Sequence, residues 1–160
     1  MLTKPQAEHH WLDQLVGDWR YEAQCSMGPD QPDLKTHGTE SVRSLDGMWV
    51  ICDGEGTTPA GETSRMIITL GYDPQQKKYV GTFIGSVMAQ LWIYNGSLDL
   101  TGKILTLDTE GPSLAEEGKL TRYQDIIEII DENHRVLRSQ MVGPDGQWHK
   151  FMTSHYRRGI

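Results

Sequence analysis

The feature that most constrains the fold is the regular spacing of β-prone segments after Gly17. Apolar segments recur about every 8–12 residues, and Gly, Pro, Asp or Asn closes each one. Short strands joined by tight turns need turn-forming residues at that interval, so the spacing indicates consecutive antiparallel hairpins. It predicts about ten strands, at residues 18–26, 36–45, 48–56, 64–72, 78–86, 90–98, 103–109, 120–130, 135–142 and 148–157.

One helix is predicted before the strands, over residues 5–16. Pro5 suits the first turn of a helix, and Gly17 ends the segment. Leu12 and Leu15 belong to a set of apolar residues that recur at helical spacing on one face. We therefore expect a short helix that caps one end of the strands that follow.

The ten predicted strands favour a closed barrel over an open sheet. An open sheet would leave unpaired N–H and C=O groups on two edge strands, and closure removes both edges. With 160 residues, one helix and ten short strands leave no room for a second domain. The prediction is an all-β, up-and-down antiparallel barrel over 17–158 within a single domain of 1–160. A barrel of this strand number is wide enough to enclose a small ligand.

Composition and charge exclude several classes of function. The net charge is −7 and no cluster of Lys and Arg stands out, so nucleic acid is not an expected partner. No apolar run approaches the roughly 20 residues that cross a bilayer, and no membrane partner is expected. The first residues lack the apolar stretch of an export signal, which predicts a soluble, cytoplasmic protein with its two cysteines reduced.

The sequence carries no recognisable metal or nucleophile motif. His149 and His155 share a face of the last predicted strand, but six residues at about 3.3 Å each place them about 20 Å apart. No metal site is therefore predicted. Haem bound through one axial ligand, His149 or His155, stays open as an alternative. Neither a nucleophile elbow nor a phosphate-binding loop is present.

Tyr123 and Asp125 identify one strand whose apolar face includes a carboxyl group. Period-2 alternation puts them on the same face as Ile127 and Ile129, and we expect that face to point inward. A carboxyl group there must be hydrogen-bonded, ion-paired or protonated, because bare burial is costly. Asp125 is thus the clearest polar candidate for the interior.

The same reasoning applies to Trp49, Asp53 and Glu55, which share a face of another strand. Their order predicts a strand that runs from an apolar, plugged end of the barrel towards an open mouth with acidic groups. Such groups could orient the polar end of a ligand. They would also disfavour anionic ligands.

These acids allow two further interpretations. Asp125, Asp53 and Tyr123 could perform acid/base catalysis if burial raises one carboxyl pKa towards neutrality. Alternatively, the acids are solvated or form ion pairs with arginines, for which the candidates are Arg43, Arg65 and Arg122. Large aromatic residues within strands, among them Phe83 and Trp92, fit either a packed core or the wall of an apolar pocket.

Several blocks of sequence, in order, resemble the domain of unknown function 1579 family over nearly the whole chain. The blocks are His10–Trp19, Leu45–Val50, Thr69–Pro74, Tyr79–Ile84 and Gly143–Gly146. The resemblance implies a calycin-like β-barrel related to lipocalins and fatty-acid-binding proteins, for which an apolar small molecule is the usual ligand. It implies no known reaction.

The triplet Gly17-Asp18-Trp19 is similar to the G-x-W signature that opens a lipocalin barrel. That resemblance implies that Trp19 plugs the closed end under the helix and stacks on a basic residue of the last strand, Arg157 or Arg158. A guanidinium group over an indole face gains about 0.5–2 kcal/mol, so this role is structural.

The function expected from the sequence is an intracellular barrel that binds a small, largely apolar molecule in its interior, with no turnover assumed. The candidate ligand-binding residues are Trp49, Asp53, Glu55, Phe83, Trp92, Tyr123, Asp125 and His149. Three alternatives remain: an acid/base enzyme with carboxylates at the barrel mouth, a haem-binding barrel, and a filled structural or oligomerising barrel, which allows a homodimer.

Overall fold

Ten consecutive antiparallel strands form a closed barrel, because β1 pairs with β2 on one side and with β10 on the other. The computed structural model describes residues 2–58 and 60–159. Residues 1, 59 and 160 of the predicted domain lie outside the described residues. The strands are β1 Gly17–Cys25, β2 Leu34–Leu45, β3 Trp49–Thr57, β4 Thr63–Asp73, β5 Lys78–Gly85, β6 Trp92–Leu98, β7 Ile104–Pro112, β8 Leu120–Asp131, β9 His134–Val142 and β10 Trp148–Arg158.

The predicted ten-stranded, up-and-down barrel is confirmed, with bounds that mostly differ by one to three residues. Alternate burial is clearest in β1, where Trp19, Tyr21 and Ala23 are buried while Asp18, Arg20 and Glu22 are exposed. Among the described residues, no helix is long and apolar enough to cross a bilayer.

The N-terminal helix is shorter than the predicted 5–16. It consists of α1, Ala7–Leu12, followed by a 3₁₀ turn at Asp13–Leu15. Pro5 precedes the helix because Gln6 is its N-cap, with the Gln6 backbone N–H donating to His9 Nδ1 at 2.9 Å. The helix caps one end of the barrel, which we call the closed end, with Leu12 and Leu15 fully buried beneath it.

Trp19 lies at the closed end between two arginine side chains. Its ring centroid is 4.3 Å from the Arg158 guanidinium carbon and 4.7 Å from that of Arg135. Of the two basic residues that the resemblance proposed, Arg158 therefore makes the contact, and Arg157 is exposed. The Trp19 Nε1–H donates to the Leu15 carbonyl at 2.9 Å, which fixes the ring under the helix.

Glycines on β2 and β3 make room for the Tyr21 side chain inside the barrel. A Cβ atom on Gly56 would lie only 1.9 Å from the Tyr21 hydroxyl oxygen, and one on Gly38 would lie 2.5 Å from it. A side chain at either position would displace Tyr21, so glycine is required there. The face of β3 that carries Gly56 is therefore the face that points into the barrel.

Replacing Trp19 by alanine should lower the free energy of unfolding by about 3–5 kcal/mol, because a large buried ring and its two cation–π contacts are lost. Urea denaturation measures this change. Trp148→Ala is the control, since Trp148 is 38% exposed on β10 and should change stability by less than about 1 kcal/mol. A loss below about 1 kcal/mol for Trp19→Ala would contradict its role as the plug of the closed end.

Candidate functional site

The centre of the barrel contains a small cavity with apolar and ionisable walls. Its volume is about 20 Å³, enough for about one water molecule. Ile68, Leu107 and Leu137 supply apolar surface, and Asp125 and Arg135 supply polar surface. The interior is therefore almost filled in this conformation, and it combines hydrogen-bonding groups with an apolar wall.

Asp125 lies inside the barrel, on the inner face of β8 that the alternation predicted. Ser139 Oγ donates a hydrogen bond to its Oδ1 at 2.6 Å, and the Tyr94 hydroxyl donates to its Oδ2. Burial raises the pKa of the Asp125 carboxyl group, while the hydrogen bonds from Ser139 and Tyr94 oppose that change. Burial, together with the nearby Asp125 charge, raises the pKa of Tyr94 well above its usual value.

A buried ion pair lies between the cavity and the closed end. Arg135 Nη2 donates to Glu40 Oε1, and both side chains are less than a tenth exposed. The Arg135 guanidinium also lies 4.1 Å from the centroid of the Tyr156 ring. Burial and the Glu40 charge raise the pKa of Tyr156 well above its usual value, so this phenol stays neutral.

Two buried polar atoms on inward-facing residues have no hydrogen-bond partner among the described residues. They are Thr109 Oγ1 on β7 and Arg135 Nε on β9. Arg135 lines the central cavity directly. Buried polar groups in folded proteins are normally paired, so unpaired groups in one interior need an explanation.

Aromatic residues fill the barrel at the end opposite the helix, which we call the open end. The ring of Tyr123 makes edge contacts with Trp92 and Phe151, at centroid distances of 5.0 and 6.0 Å. The Tyr123 hydroxyl donates to the Pro112 carbonyl. Phe83 is partly buried and packs against the core. The structure thus places Phe83, Trp92 and Tyr123 on the inner side of the barrel wall.

The inward orientation predicted for Trp49, Asp53 and Glu55 is wrong. The inner residues of β3 are Val50, Cys52, Gly54 and Gly56, all buried. Because Tyr21 occupies the space beside Gly56, the larger residues of β3 must face outward. The indole of Trp49 lies over Gly71 and is 39% exposed.

Asp53 forms ion pairs with arginines, as one interpretation of the sequence allowed, but it does so on the outer face. Its carboxylate lies 3.2 Å from Arg65 Nη2 and 4.0 Å from Arg43 Nη1. Asp53 is therefore separated from Asp125 by the barrel wall. The catalytic set of Asp125, Asp53 and Tyr123 is not brought together, and the Tyr123 hydroxyl is engaged by Pro112.

The histidines of β10 do not face the interior. His149 is exposed and its Nε2 contacts Asp145 Oδ1 at 2.8 Å, because the preceding turn brings Asp145 beside it. His155 is exposed, and its Nδ1 lies 3.0 Å from His134 Nε2. Placing His149 among the ligand-binding residues of the interior is therefore a mistake. Within residues 2–58 and 60–159, no three His, Cys, Asp or Glu side chains converge to hold a metal ion.

A surface depression of about 420 Å³ forms an open groove on β1, β2 and β10. Its outward-facing walls include Glu22, Lys35, His37 and His155, which are exposed. An open polar groove does not enclose an apolar molecule. The interior remains the better candidate site.

The fold and its interior define the class: a small, single-chain, up-and-down antiparallel β-barrel with one end capped by a helix. The chain belongs to the family described as protein of unknown function (DUF1579), whose model matches residues 4–158. No curated protein matches the chain.

Solved structures that share this fold include the following three. The crystal structure of Rv2717c from M. tuberculosis has a TM-score of 0.67 and 12% identity, covering 98% of this chain and 100% of that one. A de novo designed fluorescence-activating β-barrel has a TM-score of 0.51 and 11% identity, covering 92% and 95%. EF1p2_mFAP2b bound to DFHBI has a TM-score of 0.52 and 13% identity, covering 96% and 100%. At these identities the likeness concerns the fold alone.

The raised pKa of Asp125 predicts that stability falls as pH rises. The folded chain holds the Asp125 proton more tightly than the unfolded chain, so the folded state binds more protons above the ordinary aspartate pKa of 3.8. Relative to Asp125→Asn, which cannot titrate, the wild type should lose free energy of unfolding from about pH 3 towards neutrality, with a slope of at most about 1.4 kcal/mol per pH unit.

Urea denaturation of both proteins at several pH values measures this difference. Asp53→Asn is the control, because it removes a carboxylate from the outer face of the barrel. A difference between wild type and Asp125→Asn that does not change with pH would show that the folded chain does not favour the protonated carboxyl group.

Proposed function

We propose that the barrel binds a small, neutral, largely apolar molecule that carries a hydrogen-bonding group, in the half between the central cavity and the open end. One observation carries this proposal. Thr109 and Arg135 each have a buried polar atom in the interior with no partner among the described residues. Asp125 and its two hydrogen-bond donors lie in the same interior.

Unpaired polar groups in the interior favour the binding of a ligand, because leaving them without hydrogen bonds costs free energy. A buried donor or acceptor without a partner costs about 1–3 kcal/mol. A water molecule in the 20 Å³ cavity could serve Arg135, which lines it. Thr109 belongs to another strand, β7, and does not line that cavity. A larger guest that hydrogen-bonds to several strands would relieve more of this cost.

Room for such a guest depends on side chains that can move. Met66 and Met152 are only partly buried, although both pack against the core. Methionine has three rotatable side-chain bonds and adapts to irregular spaces at low cost. A guest could therefore displace these two side chains towards the open end without breaking a strand ladder. EF1p2_mFAP2b, which has the same fold, is bound to the small molecule DFHBI.

The interior charges favour a neutral molecule over an anion. Arg135 is already neutralised by Glu40, and Asp125 adds either no charge or a negative charge. A buried anion would thus meet no free positive charge, and an unpaired buried charge is costly. Phe83, Trp92 and Tyr123 would contact the apolar part of the guest, and Asp125 would accept or donate a hydrogen bond.

We also propose a cytoplasmic location. Cys25 and Cys52 are free thiols, and thiols persist in reducing compartments. Burial raises the pKa of both thiols, which lowers their reactivity. Fractionation of the source cells tests the location directly.

N-phenyl-1-naphthylamine is a suitable probe, because it is neutral and apolar and carries one N–H donor. We expect it to bind with fluorescence enhancement, and its 8-sulfonate derivative to bind at least about tenfold more weakly because the sulfonate must be desolvated without a cation. Fluorescence titration of both compounds measures the ratio. Equal or tighter binding of the sulfonate would contradict a neutral ligand.

Two matched variants locate the probe within the barrel. Ile68 lines the central cavity, and its neighbour Ile67 lies on the opposite face of β4. Ile68→Trp should fill the interior and abolish binding of N-phenyl-1-naphthylamine, whereas Ile67→Trp should leave it unchanged. Circular dichroism checks that both variants fold. The proposed function fails if the wild type does not bind the probe, or if both variants lose binding equally.

A further inference from the structure

The wall of the barrel is incomplete between β6 and β7. The ladder of paired residues joins Asn95–Leu98 to Leu105–Asp108 and then stops. Beyond that point, Trp92–Tyr94 pair with β5, and Thr109–Gly111 pair with β8. These two stretches, all of whose residues the structure describes, are not paired with each other. We call them the β6–β7 seam.

A side chain covers the seam in place of backbone hydrogen bonds. The indole of Trp92 lies so close to Gly111 that a Cβ atom there would be 2.2 Å from the ring. The Trp92 ring also meets the Tyr123 ring edge-on. Its Nε1–H donates to Met88 Sδ at 3.1 Å, in the exposed loop before β6. Trp92 is thus held by one weak hydrogen bond and by ring contacts.

The seam connects apolar outer surface with the polar interior. Outside, Ile93 is 60% exposed on β6, and Val87 and Leu91 are exposed in the preceding loop. Inside, Thr109 has an unpaired Oγ1, and the Tyr94 hydroxyl donates to Asp125. A molecule that crossed the seam would pass from the exposed apolar side chains outside to the hydrogen-bonding groups of the proposed site inside.

We infer that the β6–β7 seam is the entrance through which the ligand reaches the interior, and that the Trp92 side chain is its gate. This route rests on the proposed ligand binding. Rotation of Trp92 away from Gly111 gives up a weak N–H···S contact and ring contacts but no pair of a strand ladder. Entry elsewhere through the wall would separate paired strands, and entry at the closed end would displace the helix. Entry along the barrel axis at the open end would separate the packed rings of Tyr123 and Phe151.

Hydrogen exchange tests the seam without any ligand. Amide groups of Trp92–Tyr94 and Thr109–Gly111 that point into the seam should exchange at least about tenfold faster than the paired amides of Asn95–Leu98 and Leu105–Asp108, because no ladder bond protects them. Nuclear magnetic resonance measures the individual rates. Equal protection of the two groups of amides would overturn the inference.

Binding kinetics test the gate. With N-phenyl-1-naphthylamine in stopped flow, Trp92→Ala should raise the association rate constant by about tenfold, because the barrier to entry is removed, and the dissociation rate constant by more than that, because the contact between the Trp92 ring and the probe is also lost. Gly111→Ala is the second variant, because its Cβ would push the Trp92 ring from the seam. Melting temperatures check that both variants fold.

Trp49→Ala is the matched control. Trp49 also lies over a glycine, with its ring 2.4 Å from the position of a Cβ on Gly71, but on the outer face. It should leave both rate constants unchanged. If the probe binds and neither Trp92→Ala nor Gly111→Ala changes the rates, the entrance is elsewhere and the proposed function stands. If neither the wild type nor any variant binds the probe, the proposed function fails, and hydrogen exchange still decides whether the seam opens.

Discussion

Trp19 and the two arginines that enclose it join parts of the chain that are far apart in sequence. Trp19 lies near the start of β1, Arg135 lies on β9 and Arg158 ends β10. Arg158 also donates to the carbonyl groups of Gln14 and Val16, at 2.8 and 2.7 Å. A barrel closes only if its first and last strands meet, and this cluster ties the start of β1, the end of β10 and the turn below the helix together. The entrance that we infer at the β6–β7 seam lies away from this fixed end.

The fold could be predicted from the sequence because hairpin turns depend on local chemistry. Glycine, proline and aspartate at regular intervals determine where each strand ends, whatever the rest of the chain does. The sequence of β8 alone also shows which of its faces points inward, because Ile127 and Ile129 share the face of Asp125. The sequence of β3 alone does not show which of its faces points inward, because Trp49 and Ile51 on one face are as apolar as Val50 and Cys52 on the other. Tyr21, a residue of another strand, decides between them by occupying the space that a side chain at position 56 would need.

For a similar reason, the sequence could not show which polar residues pair with each other inside the barrel. Tyr94 and Asp125 are 31 residues apart, and Glu40 and Arg135 are 95 residues apart. Their pairing follows from the strand order and register of the closed barrel, which no local pattern contains. Glu40 did carry one local signal, since it shares the inner face of β2 with Val42. An acidic residue on the same strand face as a buried apolar residue indicates that its carboxyl group has a hydrogen-bonding or ionic partner inside the barrel, as for Asp125.

Arg135 connects the stability of the barrel with the site that we propose. Its guanidinium is held by Glu40, Trp19 and Tyr156, while its Nε is buried without a hydrogen-bond partner among the described residues. Buried ion pairs often contribute little net stability, because desolvation offsets the attraction between the charges. In the proposed site the pair would instead hold a donor in a fixed position at the wall of the central cavity. A ligand that accepts a hydrogen bond from Nε would then stabilise the same side chain that packs on Trp19, so binding in the interior and order at the closed end would support each other.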